Sequence, residues 1–287
     1  MIFLFCILSF VLLFFFFYKD DRDGRDDKDD KYKENYIYYK KRKYPKVYIY
    51  LLCFNEEYVI ESTILHYRRK FPGCVITIMD NYSTDNSVDI AKKYNCIIQY
   101  WENDIEKGKI SEHMYRKLKN NLWKEHKYKD AWIITCDMDE WIEIDWEELL
   151  EEDKKGTTII STYGINIVAD SKREDLKDID LSKENKGYHD NDYSKNICFK
   201  VPDIKEINFD IGSHTISPIG NIKYSDKKYI LRHMNYLGLK YLIYKLKGRH
   251  LRLSQENIKN NWGVQYTNDV EKIKTSYNEA AKKIKKE

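Results

Sequence analysis

The stretch that decides the fold reads Trp132-Ile133-Ile134-Thr135-Cys136-Asp137-Met138-Asp139-Glu140-Trp141. Its apolar, β-prone residues end abruptly in two carboxylates, which predicts a buried strand whose tip carries Asp137 and Asp139. Side chains two positions apart on a strand point to the same side, so both carboxylates can converge on one point. Open α/β sheets bind ligands at the carboxyl ends of their strands. Two hard oxygen donors there favour Mg²⁺ or Mn²⁺ over Zn²⁺, and such an ion could neutralise a diphosphate.

Upstream of this stretch, apolar strand patterns alternate with helical ones. The predicted strands are 46–53, 75–79 and 96–101; the predicted helices begin at Asn55 and cover 88–94 and 111–126. This alternation predicts an α/β fold with a parallel, doubly wound sheet and right-handed crossovers. No Gly-rich phosphate loop follows the first strand, so the pair of carboxylates with its metal ion is the device available for phosphates.

Downstream, the pattern changes to a smaller, mixed α+β half. We predict strands over 157–168, 197–201, 207–211, 222–224 and 229–234, a polar excursion over 170–195, and a helix over 237–246. The last residues, 268–286, have apolar side chains at helical spacing and predict a C-terminal docking helix without chemistry of its own.

The composition suits a globular protein that does not bind nucleic acid. The 287 residues are 42% hydrophobic, which is enough for a core, and the net charge is only +3. Lys and Asp/Glu are interspersed and form no basic stripe, which argues against nucleic acid as a partner. The six cysteines include no C-x-x-C pair, so buried free thiols are expected in place of a zinc site or a disulfide framework.

The N-terminus carries an apolar leader. Residues 2–18 are apolar except for Ser9, at the short end of what spans a bilayer. No basic residue precedes the run and no small-residue cleavage site follows it. Residues 1–18 are therefore predicted to be a retained anchor and not a signal peptide. Residues 19–44 form a charged, Tyr-rich, low-complexity linker. The protein is therefore expected at a membrane, and the side stays open: the basic residues after the run favour the cytosol, whereas anchored sugar transferases of the secretory pathway usually face the other way.

Three predicted strand tips carry polar motifs that together resemble one family. They are Phe54-Asn55-Glu56-Glu57, Asp80-Asn81-Tyr82-Ser83-Thr84-Asp85-Asn86-Ser87 and Asp137-Met138-Asp139-Glu140-Trp141. In a doubly wound sheet these tips are neighbours along one edge. In this order and spacing, they resemble the N-E-E, D-N-x-S-x-D-N-S and D-x-D-E-W motifs of GT-A glycosyltransferases of the family-two-like type. The resemblance is strong over residues 46–141 and extends more loosely to about residue 266.

The resemblance implies a domain organisation and a set of site residues. It places a GT-A, Rossmann-like glycosyltransferase domain at 45–266, with a nucleotide-sugar half (45–145), an acceptor half (146–266) and then the C-terminal helix (267–287). The expected donor-binding residues are Asn55, Glu57, Asp80, Asp85 and Asp137. The expected ligands of Mn²⁺ or Mg²⁺ are Asp139, Asp137 (directly or through water) and His233. Asp85 could equally be a simple helix cap.

The implied activity is transfer of a sugar from a nucleoside-diphosphate sugar to an acceptor hydroxyl on a glycan, glycoprotein or glycolipid, as a metal-dependent, inverting, hexosyltransferase-type enzyme. Family-two-like enzymes use an Asp or Glu as base, and the usual E-D pair is absent from the second half of this chain. Asp210 and His214 are the candidates for the base. Arg249 and Arg252 could help to hold the diphosphate, or could belong to a charged helix face.

Other classes of protein fit less well. A haloacid-dehalogenase-type phosphohydrolase has its D-x-D after the first strand, whereas here three predicted strands precede it. A nucleotidyltransferase on a similar fold usually has a Gly-rich, basic loop after the first strand, which Phe54-Asn55-Glu56-Glu57 is not. A catalytically inactive, membrane-tethered scaffold derived from such an enzyme remains an alternative, although the intact carboxylate pair argues against it.

Overall fold

The computed structural model describes residues 45–284 except 171, 173–175 and 177–179. The strands are β1 Lys46–Cys53, β2 Val75–Asp80, β3 Ile97–Tyr100, β4 Ala131–Asp137, β5 Glu140–Ile142, β6 Thr162–Val168, β7 Gly187–His189, β8 Cys198–Val201, β9 Ile204–Glu206, β10 Ile219–Gly220 and β11 Tyr229–Tyr236. The helices are α1 Ile60–Lys70, α2 Ser87–Lys93, α3 Glu112–Asn121, α4 Trp146–Lys154, α5 Leu239–Leu251, α6 Gln255–Lys259 and α7 Val270–Ile284.

The central sheet has five strands in the order β3-β2-β1-β4-β8. The first four are parallel and β8 is antiparallel to β4, so the predicted mostly parallel, doubly wound sheet is confirmed. Strands β1 and β4 are buried along nearly their whole length because helices and loops cover both faces. Their alternate side chains divide between two cores: Ile49 and Trp132 enter one, and Tyr50 and Ile133 enter the other.

A second sheet of four strands, in the order β5-β11-β6-β7, forms the framework of the other half. Strand β5 follows β4 after Met138 and Asp139 and pairs with β11, which places His233 opposite Glu140. Strands β11 and β6 are parallel, with His233 beside Asn166. The short segment between β4 and β5 therefore connects the two sheets and carries the carboxylates with it.

Helices α3 and α4 begin at residues whose side chains cap them. The Asp145 carboxylate accepts a hydrogen bond from the Glu148 backbone N–H, and the Glu148 side chain accepts one from the Asp145 N–H, a capping box that starts α4. The Ser111 hydroxyl caps α3 in the same sense. Helix α7 packs Ile273, Tyr277 and Ala280 into a small core with Leu242 of α5, which confirms a docked C-terminal helix.

Several predicted elements are wrong in detail. The predicted strands at 207–211 and 222–224 are not strands; the chain instead makes the short β9 and β10 and isolated bridges. The predicted helix over 111–126 ends at Asn121 and continues as a 3₁₀ helix over Leu122–His126. Strands β5 and β7, of three residues each, were not predicted, because such short strands have no periodicity of their own.

The free thiols agree with expectation within the described chain. Cys53, Cys96, Cys136 and Cys198 are buried and Cys74 is half-buried, all without a disulfide. The predicted anchor at 1–18 and linker at 19–44 lie outside the described residues. In the part of the chain that is described, no helix has both the length and the apolar character needed to cross a membrane.

Candidate active site

Three strand tips meet at one edge of the central sheet. Strand β1 lies between β2 and β4, and its register sets Cys53 beside Asp80 and Leu52 beside Asp137. The segments that follow these strands therefore lie side by side, as the order of the motifs predicted. A cleft of about 240 Å³ opens at this edge and is lined on the sheet side by residues 52–56, 137 and 138.

Asp137, at the end of β4, faces two lysines. Its Oδ1 lies 2.8 Å from the Lys119 ammonium of α3, and its Oδ2 lies 3.9 Å from the Lys195 ammonium. Lys195 also lies 2.6 Å from the Glu140 carboxylate. Burial raises the pKa of Asp137, but the two lysines outweigh burial and hold the pKa below its ordinary value. The Asp137 carboxylate is consequently a fixed negative charge in the cleft wall.

Asp139 is deeper: 1% of its surface is exposed, and it lies behind the residues that line the cleft. Its carboxylate forms a salt bridge with Lys245 of α5, and its Oδ2 lies 3.2 Å from His233 Nε2. Burial again raises the pKa, and the ammonium of Lys245 is the largest opposing charge, so the pKa of Asp139 lies well below its ordinary value. The backbone supports this position, because the Met234 N–H donates to the Asp139 carbonyl at 2.7 Å.

Two of the three predicted metal ligands come together. The Asp139 oxygen and the His233 nitrogen are 3.2 Å apart, close to the separation of about 3.0 Å for two ligands at right angles on an ion with bonds of about 2.1 Å. An oxygen and an imidazole nitrogen fit Mn²⁺ as part of a coordination sphere. Asp137 makes its contacts with lysines instead, and among the described residues no group of three or more His, Cys, Asp or Glu is arranged to hold a metal ion.

The opposite wall of the cleft is cationic and comes mainly from α5. Lys245, Arg249 and Arg252 follow one another at intervals of four and three residues and all line the cleft. An Arg249 nitrogen lies 3.5 Å from the Glu56 carboxylate. Arg252 lies over the Phe54 ring and donates to the Asn81 side chain. The two arginines thus belong to the cleft and not to a solvated helix face.

The turn after β2 is tied together by its own side chains. The Asp80 carboxylate accepts hydrogen bonds from the Ser83 N–H at 2.9 Å and the Ser83 hydroxyl at 2.6 Å, and is fully buried. Asp85 accepts from the Glu57 and Ser87 backbone N–H groups. Of the five predicted donor-binding residues, only Asn55 and Asp137 line the cleft; Glu57, Asp80 and Asp85 lie behind it as supports of the turn.

The two candidate bases differ in their surroundings. Both Asp210 oxygens accept hydrogen bonds from Thr215, and Asp210 does not line the cleft. His214 does line it, and its Nδ1 lies 2.6 Å from the Asp192 carbonyl. Because a carbonyl only accepts, Nδ1 carries the hydrogen and the neutral ring has its lone pair on Nε2.

The sequence reasoning missed the buried lysines and Tyr193. Lys119, Lys195 and Lys245 are 3–6% exposed and each contacts a carboxylate of the β4–β5 segment. Tyr193 stacks on His233 with ring centroids 4.0 Å apart. The one available signal was the spacing of Lys245 and Arg249 on α5 and of Arg252 directly after it, with Tyr241 buried on the same helix.

Comparison with known proteins identifies a family. The sequence profile described as "Glycosyl transferase family 2" matches residues 48–212, more than half of the chain. The match covers the three strand-tip motifs and ends at Gly212, before His214 and all of α5. No curated protein matches the sequence.

Solved structures are similar at a greater distance. The crystal structure of S. aureus TarS has a TM-score of 0.37 and 14% identity, covering 74% of this chain and 44% of that chain. The crystal structure of S. aureus TarS 1-349 in complex with UDP has a TM-score of 0.38 and 12% identity, and the match covers 72% of this chain and 65% of that chain. A third match is glucosyl-3-phosphoglycerate synthase from Mycobacterium tuberculosis in complex with Mn²⁺, UDP and glucosyl-3-phosphoglycerate. It has a TM-score of 0.28 and 17% identity, and the match covers 51% of this chain and 50% of that chain. The chain spans less than two thirds of each, and with every TM-score below 0.5 the profile match alone carries the assignment.

Proposed function

Because this chain belongs to glycosyl transferase family 2, we propose that it transfers a sugar from a nucleoside-diphosphate sugar to an acceptor hydroxyl of a glycan, glycoprotein or glycolipid. The observation that carries the proposal is one cleft in which the β4 tip and Asn55 face a cluster of cations. That cluster consists of Lys119, Lys195, Lys245, Arg249 and Arg252. A diphosphate carries the charge that such a cluster binds, and the sheet edge is where nucleotides bind in this class of fold.

We propose that Asp139 and His233 hold a divalent cation, Mn²⁺ or Mg²⁺. When bound, the cation supplies positive charge to the leaving nucleoside diphosphate. In its absence the Lys245 ammonium neutralises Asp139. The low pKa of Asp139 keeps the carboxylate ionised over the physiological range, so the side chain can exchange one cation for another without taking up a proton.

We propose His214 as the base that acts on the acceptor. Its Nε2 lone pair can take the acceptor proton as the hydroxyl oxygen bonds to the anomeric carbon. The sugar–phosphate bond then breaks, and its electron pair leaves with the nucleoside diphosphate. Attack opposite the leaving group inverts the anomeric centre. Asp210 is less suited, since Thr215 occupies both of its oxygens.

Replacement of the base tests this role directly. His214→Gln keeps a hydrogen-bonding side chain but no proton acceptor of comparable basicity, and we expect turnover to fall by about 10²–10⁴-fold. Donor affinity should stay at the wild-type value because the proposed proton transfer involves the acceptor hydroxyl and not the donor. Unchanged turnover would remove His214 from the mechanism and return Asp210 to consideration, with Asp210→Asn as the matched variant.

The identity of the product tests the proposed function. Purified protein is incubated with Mn²⁺ and a panel of nucleoside-diphosphate sugars, and the released phosphates are separated. We expect a nucleoside diphosphate from one donor. Release of pyrophosphate from a nucleoside triphosphate and a sugar phosphate would indicate a nucleotidyltransferase. Neither binding nor turnover of any nucleotide would favour the inactive scaffold.

We further propose that residues 1–18 anchor the enzyme in a membrane and that residues 146–266 form the half that receives the acceptor. The apolar leader supports the anchor. Extraction of membranes at alkaline pH tests it: an anchored chain stays in the pellet, and a version lacking residues 1–44 moves to the supernatant. Release of the full chain would contradict the anchor.

A further inference from the structure

The two ring nitrogens of His233 have different partners. Nε2 faces the Asp139 Oδ2 at 3.2 Å, and Nδ1 lies 2.7 Å from the Asn166 Oδ1. His233 and Asn166 are neighbours across the parallel β11–β6 pair, so this contact is set by strand register. Both side chains belong to residues that are less than a tenth exposed. The hydrogen on the neutral imidazole therefore has two competing acceptors, and the one it binds decides what Nε2 can do.

Asp190 fixes the orientation of the Asn166 amide. The Asn166 Nδ2 donates to the Asp190 Oδ2 at 2.9 Å and approaches the Tyr188 hydroxyl at 3.4 Å. A carboxylate can only accept, so the nitrogen of the amide must face Asp190 and the oxygen must face His233. That oxygen in turn requires a hydrogen on Nδ1. Tyr193, stacked on the imidazole at 4.0 Å, holds the ring plane.

We propose that Asn166, oriented by Asp190, is a positioning residue that fixes His233 in its Nδ1–H tautomer and leaves the Nε2 lone pair beside the Asp139 carboxylate, so that the two share one cation. This inference rests on the cation site of the proposed function. A lone pair that faces a carboxylate oxygen at 3.2 Å is repulsive without positive charge nearby, which Lys245 or a divalent ion provides. Partners that fix a ligating imidazole in this way are a general feature of metal sites.

The tautomer can be measured without metal, donor or turnover. Long-range ¹H–¹⁵N correlation spectra of the metal-free protein, labelled with ¹⁵N-histidine, distinguish a protonated from an unprotonated ring nitrogen. The His233 signals are assigned as those missing from His233→Gln. We expect the hydrogen of His233 on Nδ1 in wild type. A hydrogen on Nε2 in wild type would overturn the inference, whatever the variants do.

Variants of Asp190 then test the consequence for the cation. Asp190→Ala frees the Asn166 amide to turn and to donate to Nδ1, so we expect the hydrogen to move to Nε2 and Mn²⁺ affinity to fall about 10–100-fold. Asp190→Asn keeps an acceptor oxygen for the amide and should retain both the tautomer and the affinity. Mn²⁺ binding is measured by electron paramagnetic resonance, and unfolding curves confirm that each variant is folded.

The outcomes separate this inference from the proposed function. If Asp190→Ala bound Mn²⁺ as tightly as wild type, the inference would be overturned. The proposed function would still stand if donor turnover depended on Mn²⁺. Absence of Mn²⁺ binding by the wild-type protein would overturn both the shared cation and the metal dependence. The inference is supported if Asp190→Ala changes the His233 tautomer and loses Mn²⁺ affinity while Asp190→Asn does neither.

Discussion

The β4–β5 segment and helix α5 build opposite walls of the same cleft by different means. The segment carries Asp137 in the cleft wall and Asp139 in a deeper position, both on short side chains whose place the backbone fixes at the end of a buried strand. Helix α5 presents Lys245 and Arg249 on long side chains that reach across from the other half of the domain. The acidic wall is thus positioned by the sheet, and the basic wall by the packing of one helix.

This difference shows which wall depends on the other. Two ionised carboxylates at a buried strand tip need opposite charge nearby, since burial alone raises the pKa of each. The lysines supply that charge when no substrate or metal is bound. The basic wall is therefore part of the stability of the empty site as well as a surface for a diphosphate, and removing its charges should affect both.

The largest expected effect comes from Lys245→Met. The change leaves the Asp139 carboxylate buried without its ammonium partner, which costs about 3–5 kcal/mol in free energy of unfolding. Urea unfolding of wild type and variant measures the loss. Because the variant removes the ammonium that competes with a metal ion for Asp139, Mn²⁺ should raise the melting temperature of the variant more than that of wild type.

A matched control for this variant is Lys272→Met, on the exposed side of α7. It makes the same chemical change outside the cleft, so its unfolding free energy should stay within about 0.5 kcal/mol of wild type. Equal unfolding free energies for the two variants would show that Asp139 does not depend on α5, and the two walls would then be independent.

A smaller, pH-dependent effect is expected at Glu56, which lies between the walls. Burial raises the pKa of Glu56 from 4.5 to about 7, against the opposing charges of Lys245 and Arg249. Between those pH values the folded protein holds a proton that the unfolded chain has lost, so this group makes stability fall as the pH rises. Glu56→Gln removes this pH-dependent contribution to the free energy of unfolding. The unfolding free energy of the variant relative to wild type should increase between about pH 5 and about pH 8, by at most about 3 kcal/mol.

The control for Glu56 is Glu151→Gln, whose side chain is exposed on α4. It should show the same difference from wild type at both pH values. If Glu56→Gln also behaved in this way, the charges of Lys245 and Arg249 would fully offset the effect of burial on the Glu56 carboxyl of the wild-type protein.

The smallest expected effect lies outside both walls. Asp145→Ala removes the capping box of α4 and should cost about 1 kcal/mol of unfolding free energy. Neither Asp145 nor Glu148 lines the cleft, so nucleotide binding should not change. A loss of binding in this variant would mean that general destabilisation, and not the charge of the walls, explains the results at Lys245.

The acidic wall could be predicted from the sequence because each of its parts is local. The apolar run that ends at Asp137 contains both the strand and the carboxylates, and the alternation around it determines the parallel order that brings Asp80 and Asp137 to one edge. The resemblance to GT-A enzymes implied His233 as a ligand from its place in the chain, and the structure puts it within β11 and not at the end of a strand. The meeting of His233 with Asp139 follows from the pairing of β11 with β5.

The basic wall could not be predicted in the same way, because it depends on packing between distant segments. Lys119, Lys195 and Lys245 come from three separate parts of the chain, and a lysine is usually exposed. Nothing local marks these three as buried. Likewise Asp80 and Asp85 have the residue types of a binding site, yet their oxygens are taken by the neighbouring turn.

The role of Asp139 in metal-assisted diphosphate binding can be measured by calorimetric titration with nucleoside diphosphates, with and without Mn²⁺. The titration compares wild type, Asp139→Asn and, as a control, the exposed Asp89→Asn. We expect at least one diphosphate to bind wild type and Asp89→Asn more tightly with Mn²⁺, and Asp139→Asn to lose this gain, a change of about 100-fold or about 2.7 kcal/mol. Equal Mn²⁺-dependent binding by Asp139→Asn and wild type would contradict this role of Asp139.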